Sequence, residues 1–139
     1  MPKVAHTAHD MISGMAPTVQ PGNYVFISTA DPALVELLIF QAMSTFEENE
    51  GKSMLLPVDL AKKSGFSVDQ PMSCITLNVY SSLEGVGLTA AVSAALGDNS
   101  IPCNMVAAFH HDHVFVPSEM CDRAMEVLTS LQKQAAKNR

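Results

Sequence analysis

Apolar and polar side chains alternate along residues 74–80, which have the sequence CITLNVY. Such alternation is typical of a strand that packs one face against a core. The next apolar side chains recur every three or four residues and predict an amphipathic helix over residues 86–96. The apolar stripe of this helix consists of Leu88, Ala91, Val92, Ala95 and Leu96. Gly97 predicts the C-terminal cap of the helix, and the loop of residues 81–87, SSLEGVG, joins it to the strand.

The same two periodicities recur along the chain and predict two copies of one β-α-β-β-α unit. In the first copy they predict a strand at 23–29, a helix beginning at Pro32, hairpin strands at 42–47 and 53–56, and a helix at 58–64. Asp31 predicts the N-cap of the first of these helices, and Gly65 predicts the cap that ends the second. In the second copy they predict strands at 74–80, 103–109 and 113–117, a helix at 86–96, and a last helix from Ser118. A proline closes the hairpin in both copies. We therefore expect an N-terminal unit over residues 11–72 and a C-terminal unit over residues 73–135.

A β-α-β crossover followed by a hairpin and a second helix predicts the ferredoxin-like arrangement. The expected fold class is therefore α+β, with antiparallel sheets and the helices on one face of each sheet. A ferredoxin-like sheet ends with one more strand, which the second copy lacks. We expect that strand from the connector before residue 73, from residues 11–15, or from another chain. The residues before about Gln20 are predicted to be turn-rich and only partly ordered.

Composition and charge restrict the class of partner. The chain has 139 residues, with 8 Lys and Arg against 14 Asp and Glu, so it lacks the basic stripe that binds nucleic acid. No apolar run approaches the ~20 residues of a membrane span, and the N-terminal residues lack the apolar segment of a signal peptide. The three cysteines show no C-x-x-C spacing, which predicts free thiols. We expect a cytoplasmic protein without nucleic-acid or membrane partners.

Sequence motifs for catalysis are also missing. The chain contains no G-x-S-x-G, no phosphate-binding loop and no H-E-x-x-H. We therefore expect a protein that is not an enzyme, with no catalytic residues, no metal and no cofactor.

The loop of residues 81–87 is the main candidate for binding chemistry. Small residues and glycines precede a predicted helix N-terminus, where backbone N–H groups and the helix dipole can hold a carboxylate. Glu84 could bind an ammonium group. A plain strand-to-helix turn has the same composition, so both interpretations stay open.

The histidine-rich segment of residues 110–113 is the alternative candidate. Imidazoles and a carboxylate so close together, from His110, His111, His113 and Asp112, are ligands that suit a transition metal. In a tight hairpin, however, consecutive side chains point to opposite faces, which favours a polar turn over a metal site.

The second copy resembles the ACT domain, a small regulatory fold that binds ligands. The resemblance is in the segment YSSLEGVGLTAAVSAALGDNSIPCNMVAAFHHDHVFVP, in which Ile101 and Asn104 form the I-x-x-N pattern before the next strand. The first copy, with GMAPTVQPGNYVFIST and FEENEGKSMLLP, resembles the N-terminal partner in a two-unit bacterial ACT-like family. Glu84, Gly85 and Gly87 match the ACT loop loosely, without its proline.

The resemblance implies a regulatory sensor that binds an amino acid or related metabolite at an interface between ACT units, as a homodimer. The ligand-binding residues expected on this basis are Ser81, Ser82, Leu83, Glu84, Gly85, Val86, Gly87 and Asn104. Two alternatives are a metal-binding protein or metal-dependent enzyme that uses residues 110–113, and a ligand-free oligomerisation module whose sheet edges pair with another chain.

Overall fold

A computed structural model describes residues 4–80 and 82–137. The helices are α1 (Ala8–Ser13), α2 (Pro32–Leu38), α3 (Val58–Lys63), α4 (Leu88–Asp98) and α5 (Cys121–Lys137). The strands are β1 (Thr18–Val19), β2 (Tyr24–Thr29), β3 (Ser44–Glu48), β4 (Gly51–Pro57), β5 (Met72–Leu77), β6 (Asn104–Ala107) and β7 (Asp112–Pro117). Short 3₁₀ turns lie at Ile39–Gln41 and Ser118–Met120. None of the helices in the described ranges combines the length and the apolar character needed to cross a bilayer.

The chain divides into two compact units. The first unit is Gly22–Met72, and the second unit is Met1–Pro21 together with Ser73–Arg139. Each unit carries an antiparallel sheet with its helices packed on one face, as predicted for the ferredoxin-like fold.

The first unit has the strand order β3-β4-β2. Strand β2 pairs antiparallel with β4 from Tyr24 opposite Pro57 to Thr29 opposite Lys52. Strands β3 and β4 form the predicted hairpin, and their pairing continues to Glu48 opposite Gly51. The apolar core combines strand residues with one residue from each helix: Val25, Ile27, Met54, Leu56, Leu38 and Ala61.

Two residues predicted to bound helices in the first unit have that role. Asp31 is the N-cap of α2, and its Oδ1 accepts a hydrogen bond from the Ala33 N–H at 3.0 Å. Gly65 follows α3 with φ +88°, and the Phe66 N–H donates to the Ala61 carbonyl at 3.0 Å. This bond across the left-handed glycine satisfies a carbonyl that the helix end would otherwise leave without a partner.

The second unit has β7 between β5 and β6, and β1 on the other side of β5. Strand β1 pairs antiparallel with β5, with Thr18 opposite Thr76. The strand that completes this sheet is therefore Thr18–Val19, which lies outside the range 11–15 considered from the sequence. Residues of that range form part of α1 instead, because the buried side chain of Met11 packs among the helices.

The N-terminal residues belong to the core of the second unit. Met11 and Met15 are only 1% and 0% exposed. They pack with side chains of the sheet and of the helices α4 and α5: Ile75, Leu77, Val114, Val116, Val92, Leu96, Ala124 and Leu128. Gln132 of α5 also donates from Nε2 to the Ser13 carbonyl at 2.9 Å. The prediction of a partly ordered N-terminal segment is therefore wrong for α1 and β1.

The predicted end of α4 is also wrong. Gly97 lies inside the helix, which continues to Asp98. Ser100 takes the left-handed conformation with φ +58°, and the Ile101 N–H donates to the Leu96 carbonyl at 3.0 Å. Ile101 is buried in the core of the unit. The helix end is therefore set by where Ile101 packs, and Gly97 has no capping role.

Candidate functional site

The chain leaves β5 at Asn78, and this residue anchors the start of the candidate loop. The Asn78 N–H donates to the Met15 carbonyl at 2.6 Å. Its Nδ2 donates to the Ala16 carbonyl and to the Thr18 Oγ1, both at 2.8 Å. One side chain thus ties the end of β5 to the turn before β1, which explains why the predicted strand of residues 74–80 ends at Leu77.

The N-terminal segment, residues 4–11, lies along one side of the loop. The Ala5 N–H donates to the Tyr80 carbonyl at 2.7 Å, and the Ser82 N–H donates to the Ala5 carbonyl at 2.9 Å. A Cβ added to Gly85 would lie 3.2 Å from the His6 carbonyl oxygen, and one added to Gly87 would lie 2.6 Å from the Ala8 Cβ. The two glycines therefore allow the segment to approach the loop closely.

Several loop N–H groups already have partners within the unit. The Gly85 N–H donates to the Ser82 carbonyl at 3.0 Å, and the Glu84 N–H donates to the Ser82 Oγ at 3.2 Å. Helix α4 begins after Gly87, whose φ is +110°, and no side-chain hydrogen bond caps it. Any N–H groups that could bind an anion are thus those of the first turn of α4 and not those of Ser82, Glu84 or Gly85.

The other side of the loop is exposed. Leu83 is 68% exposed and Val86 is 79% exposed, and the exposed side chain of Glu84 lies between them in sequence. Ser82, Gly85 and Gly87 are half-buried. Ser81, the remaining loop residue predicted as a ligand contact, lies outside the described residues. The structure thus gives a loop whose inner side the chain covers itself and whose outer side is apolar around one carboxylate.

Asn104 lies away from the loop. It begins β6 opposite Phe115, and its Nδ2 donates to the Phe115 carbonyl at 3.4 Å. His113 of β7 contacts Thr76 of β5, and the His111 ring contacts Tyr80, so β7 runs antiparallel to β5. Phe115, and Asn104 opposite it, therefore lie near Cys74. The strand between this level and the start of the loop at Tyr80 spans about 20 Å. The structure therefore does not bring Asn104 together with the loop residues.

The histidine-rich segment forms a hairpin turn. The Ala108 N–H donates to the His111 carbonyl at 3.0 Å, which places Phe109 and His110 at its tip. The His111 ring packs against Tyr80, with ring centroids 4.9 Å apart. Among the described residues, no three His, Cys, Asp or Glu side chains converge as metal ligands. The geometry therefore lends no support to the metal-site alternative at residues 110–113.

His113 belongs to a chain of hydrogen bonds on the sheet face opposite the helices. The Gln20 Nε2 donates to the Thr76 Oγ1 at 2.8 Å, and that oxygen lies 3.0 Å from the His113 Nδ1. The Thr76 hydroxyl can donate to the His113 Nδ1 or accept from it, depending on the His113 tautomer. Burial lowers the pKa of His113; nearby His111 lowers it further, while Asp112 raises it.

The cysteines do not supply reactive chemistry. Cys74, Cys103 and Cys121 are free, and Cys74 and Cys121 are buried. Burial raises the pKa of the Cys74 and Cys103 thiols, although a hydrogen bond with Thr76 lowers that of Cys74 in part. A raised thiol pKa disfavours the thiolate, which is the nucleophilic form.

Comparison with known proteins identifies the family. Two family models described as ACT domains match residues 7–73 and 70–130. A Vibrio cholerae protein of unknown function, described as a possible transport protein, is 35% identical, with a TM-score of 0.76. The match covers 87% of this chain and 93% of that protein. The chain belongs to the ACT domain family.

More distant structures share the tandem ACT fold. An Agrobacterium tumefaciens protein is 20% identical, with a TM-score of 0.62, over 84% of this chain and 87% of its own. A putative C-terminal regulatory domain of aspartate kinase from Porphyromonas gingivalis is 17% identical, with a TM-score of 0.56. That match covers 84% of this chain and 96% of the neighbour's chain. No curated protein matches the chain.

The sequence did not indicate the cavities of the first ACT unit, two of which are lined entirely by described residues of that unit. One, of about 550 Å³, lies between α2 and the β3–β4 hairpin and is lined by Thr29, Ala30, Pro32, Val35, Glu36, Ile39, Glu47, Glu48, Asn49, Gly51 and Lys52. The other, of about 270 Å³, is lined by Val25, Phe26, Ser67, Asp69, Gln70 and Met72. A pocket bounded by separate elements leaves no periodic pattern in the sequence. The only local signal is the set of polar residues in the connector after α3.

Proposed function

We propose that this tandem ACT protein is a non-catalytic regulatory sensor that binds an amino acid or related small metabolite at the loop of residues 81–87. The observation that carries the proposal is the uncapped N-terminus of α4 behind a glycine loop whose outer side is open. Membership of the ACT family supports a ligand-binding regulatory role. The printed description of the Porphyromonas gingivalis neighbour as a regulatory domain is in line with it.

The proposed ligand carries a carboxylate and an ammonium group. First-turn N–H groups of α4 and the positive end of the helix dipole would hold the carboxylate. Glu84 would accept charge-assisted hydrogen bonds from the ammonium group. The exposed residues Leu83 and Val86 lie on either side of Glu84 in sequence. They would be covered when another ACT unit closes over the ligand.

We also propose that the protein forms a homodimer through the edge of the first unit. Strand β3 is at one end of the strand order of that unit. Large apolar side chains are exposed on β3 and on the turn after α2, with Phe46 72% and Phe40 94% exposed. Apolar side chains of this size on an edge strand are typical of a surface that pairs with another chain. In an antiparallel pairing of two β3 strands centred on Phe46, Glu47 would face Thr45 and not another carboxylate.

A thermal-shift panel of the amino acids tests the ligand proposal. A ligand at 100 times its Kd stabilises the folded state by about 2.7 kcal/mol, which is roughly 5 to 10 °C in Tm for a chain of this size. Glu84→Gln should reduce the shift for the responding amino acid, whereas Glu126→Gln, at an exposed position on α5, should leave it unchanged. No shift with any amino acid would refute the proposed ligand class. A full shift in Glu84→Gln would refute the assigned ammonium partner.

A further inference from the structure

We propose that the first unit contains a second binding site, specific for a small primary amine with an apolar tail, in the cavity between β2 and the connector after α3. The cavity has a volume of about 270 Å³, and all its lining residues belong to the first unit. It is separate from the loop of residues 81–87, which belongs to the second unit.

The cavity arises from the way the connector passes β2. After Gly65 the chain runs without regular structure until Met72, the first residue of β5. Met72 pairs with Tyr24 at the start of β2. Val68 of the connector packs against the core that contains Val25, while Ser67, Asp69 and Gln70 line the cavity beside β2.

The lining combines an apolar floor with a polar rim. Val25 is buried, Phe26 is 49% exposed, and Met72 is half-buried. The rim is contributed by three exposed polar residues, Ser67, Asp69 and Gln70. An apolar pocket with a few converging polar groups is the usual form of a small-molecule site. The volume is at the lower limit for such sites, which restricts the ligand to about the size of an amino acid.

Charge selects the class of ligand. Asp69 is the single charged residue among the lining residues, which include no Lys or Arg. An anionic ligand would be repelled, whereas an ammonium group would form charge-assisted hydrogen bonds with the Asp69 carboxylate. Phe26 and Met72, which are only partly buried, offer apolar contact for an aliphatic tail. A carboxylate on the ligand has no partner here, so this site differs from the loop site in the chemistry it recognises.

Titration of the full-length protein with 3-methylbutylamine tests this site, with amide chemical shifts as the readout. The matched probe is 3-methylbutan-1-ol, which keeps the carbon skeleton and lacks the ammonium group. We expect saturable shifts at Phe26 and at residues 67–72 with the amine and much weaker binding of the alcohol. Equal responses to the two probes, or amine-induced shifts confined to other parts of the chain, would overturn the proposal.

Four variants complete the test. Asp69→Asn should weaken amine binding about 10- to 100-fold, because the asparagine oxygen can still accept a hydrogen bond but lacks the negative charge that strengthens it. Asp59→Asn, at an exposed position on α3, should leave binding unchanged. Ser67→Phe should abolish binding by filling the cavity, which provides a second variant if Asp69→Asn perturbs the fold. Unchanged amine binding in both Asp69→Asn and Ser67→Phe would refute the site. Glu84→Gln should not affect it, so its outcome is independent of the proposed loop site.

Discussion

Gly87 and Ala8 lie so close together that a Cβ on the glycine would be 2.6 Å from the Cβ of Ala8. Real Cβ atoms essentially never approach a heavy atom this closely. Gly87 also has φ +110°, a conformation that side chains rarely adopt. The start of α1 and the start of α4 can therefore pack together only with glycine at position 87.

Replacement of this glycine should destabilise the protein. Gly87→Ala should lower the free energy of unfolding by about 2–4 kcal/mol, from left-handed backbone strain and overpacking against Ala8. Gly97→Ala, near the other end of α4, is the control, because a Cβ there would meet no atom within 4 Å outside its own stretch of helix. It should stabilise the protein by about 0.5–1 kcal/mol through helix propensity. Urea denaturation of both variants measures these effects, and similar changes in the two would contradict the close packing at Gly87.

The burial of Met15 predicts that the N-terminal residues stabilise the second unit. Met15→Ala should cost about 2–5 kcal/mol, as expected for truncation of a buried side chain. Met43→Ala is the matched control, since Met43 is 44% exposed, and its effect should stay within about 0.5 kcal/mol. Urea unfolding followed by circular dichroism provides the comparison. If Met15→Ala lowered the free energy of unfolding as little as Met43→Ala does, the N-terminal residues would not be part of the core in solution.

The lowered pKa of His113 predicts a pH dependence of stability. Burial lowers this pKa below the ordinary value of 6.5, so at intermediate pH the unfolded chain binds more protons than the folded chain. The stability that neutral His113 contributes to the folded state is fully present above pH 6.5. It is lost as the pH falls from 6.5 through the pKa of His113 in the folded protein. His113→Gln should therefore reduce the loss of stability between pH 7.5 and pH 5, measured by urea unfolding. A comparison at pH 8 isolates the packing effect of the substitution, and an unchanged pH slope would contradict the role of His113.

The exposed edge of the first unit predicts that Phe46 contributes to dimer formation. Phe46→Asp should shift the protein toward monomer in sedimentation velocity, because it places a charge in the centre of the proposed interface. Phe109→Asp changes an equally exposed phenylalanine, 77% exposed at the hairpin tip of the second unit, and should leave the dimer intact. A monomeric unmodified protein at high concentration, or equal effects of both variants, would refute the proposed interface.

The pattern of side chains predicted the elements well where the signal was local. The hairpin of the first unit, the N-cap at Asp31 and the helix end at Gly65 all depend on neighbours a few residues away, and the structure contains them. The end of α4 was predicted at Gly97 because glycine is common after helices. It lies further on because burial of Ile101 outweighs this preference.

In the candidate loop, too, the sequence indicates the local features and the tertiary structure supplies the distant contacts. Its glycines and its position before a helix are visible in the sequence, but the reason for Gly87 is its contact with Ala8, far away along the chain. Asn104 was associated with the loop through the family pattern, yet it lies level with Phe115 near the opposite end of the strands. Neither relationship has a periodic signature that could be recognised without coordinates.

The order of strands and helices, the repeat of the β-α-β-β-α unit and the ACT family were thus contained in the sequence, because they depend on local periodicity and short motifs. Only the tertiary structure shows which distant segments of the chain contact the second sheet and the candidate loop. Asn78 binds the Ala16 carbonyl 62 positions away, β1 joins β5, and residues 4–11 cover the inner side of the candidate loop. Such contacts form because they bury apolar side chains and satisfy backbone hydrogen bonds of the folded chain together, and a linear pattern does not specify which partners will meet.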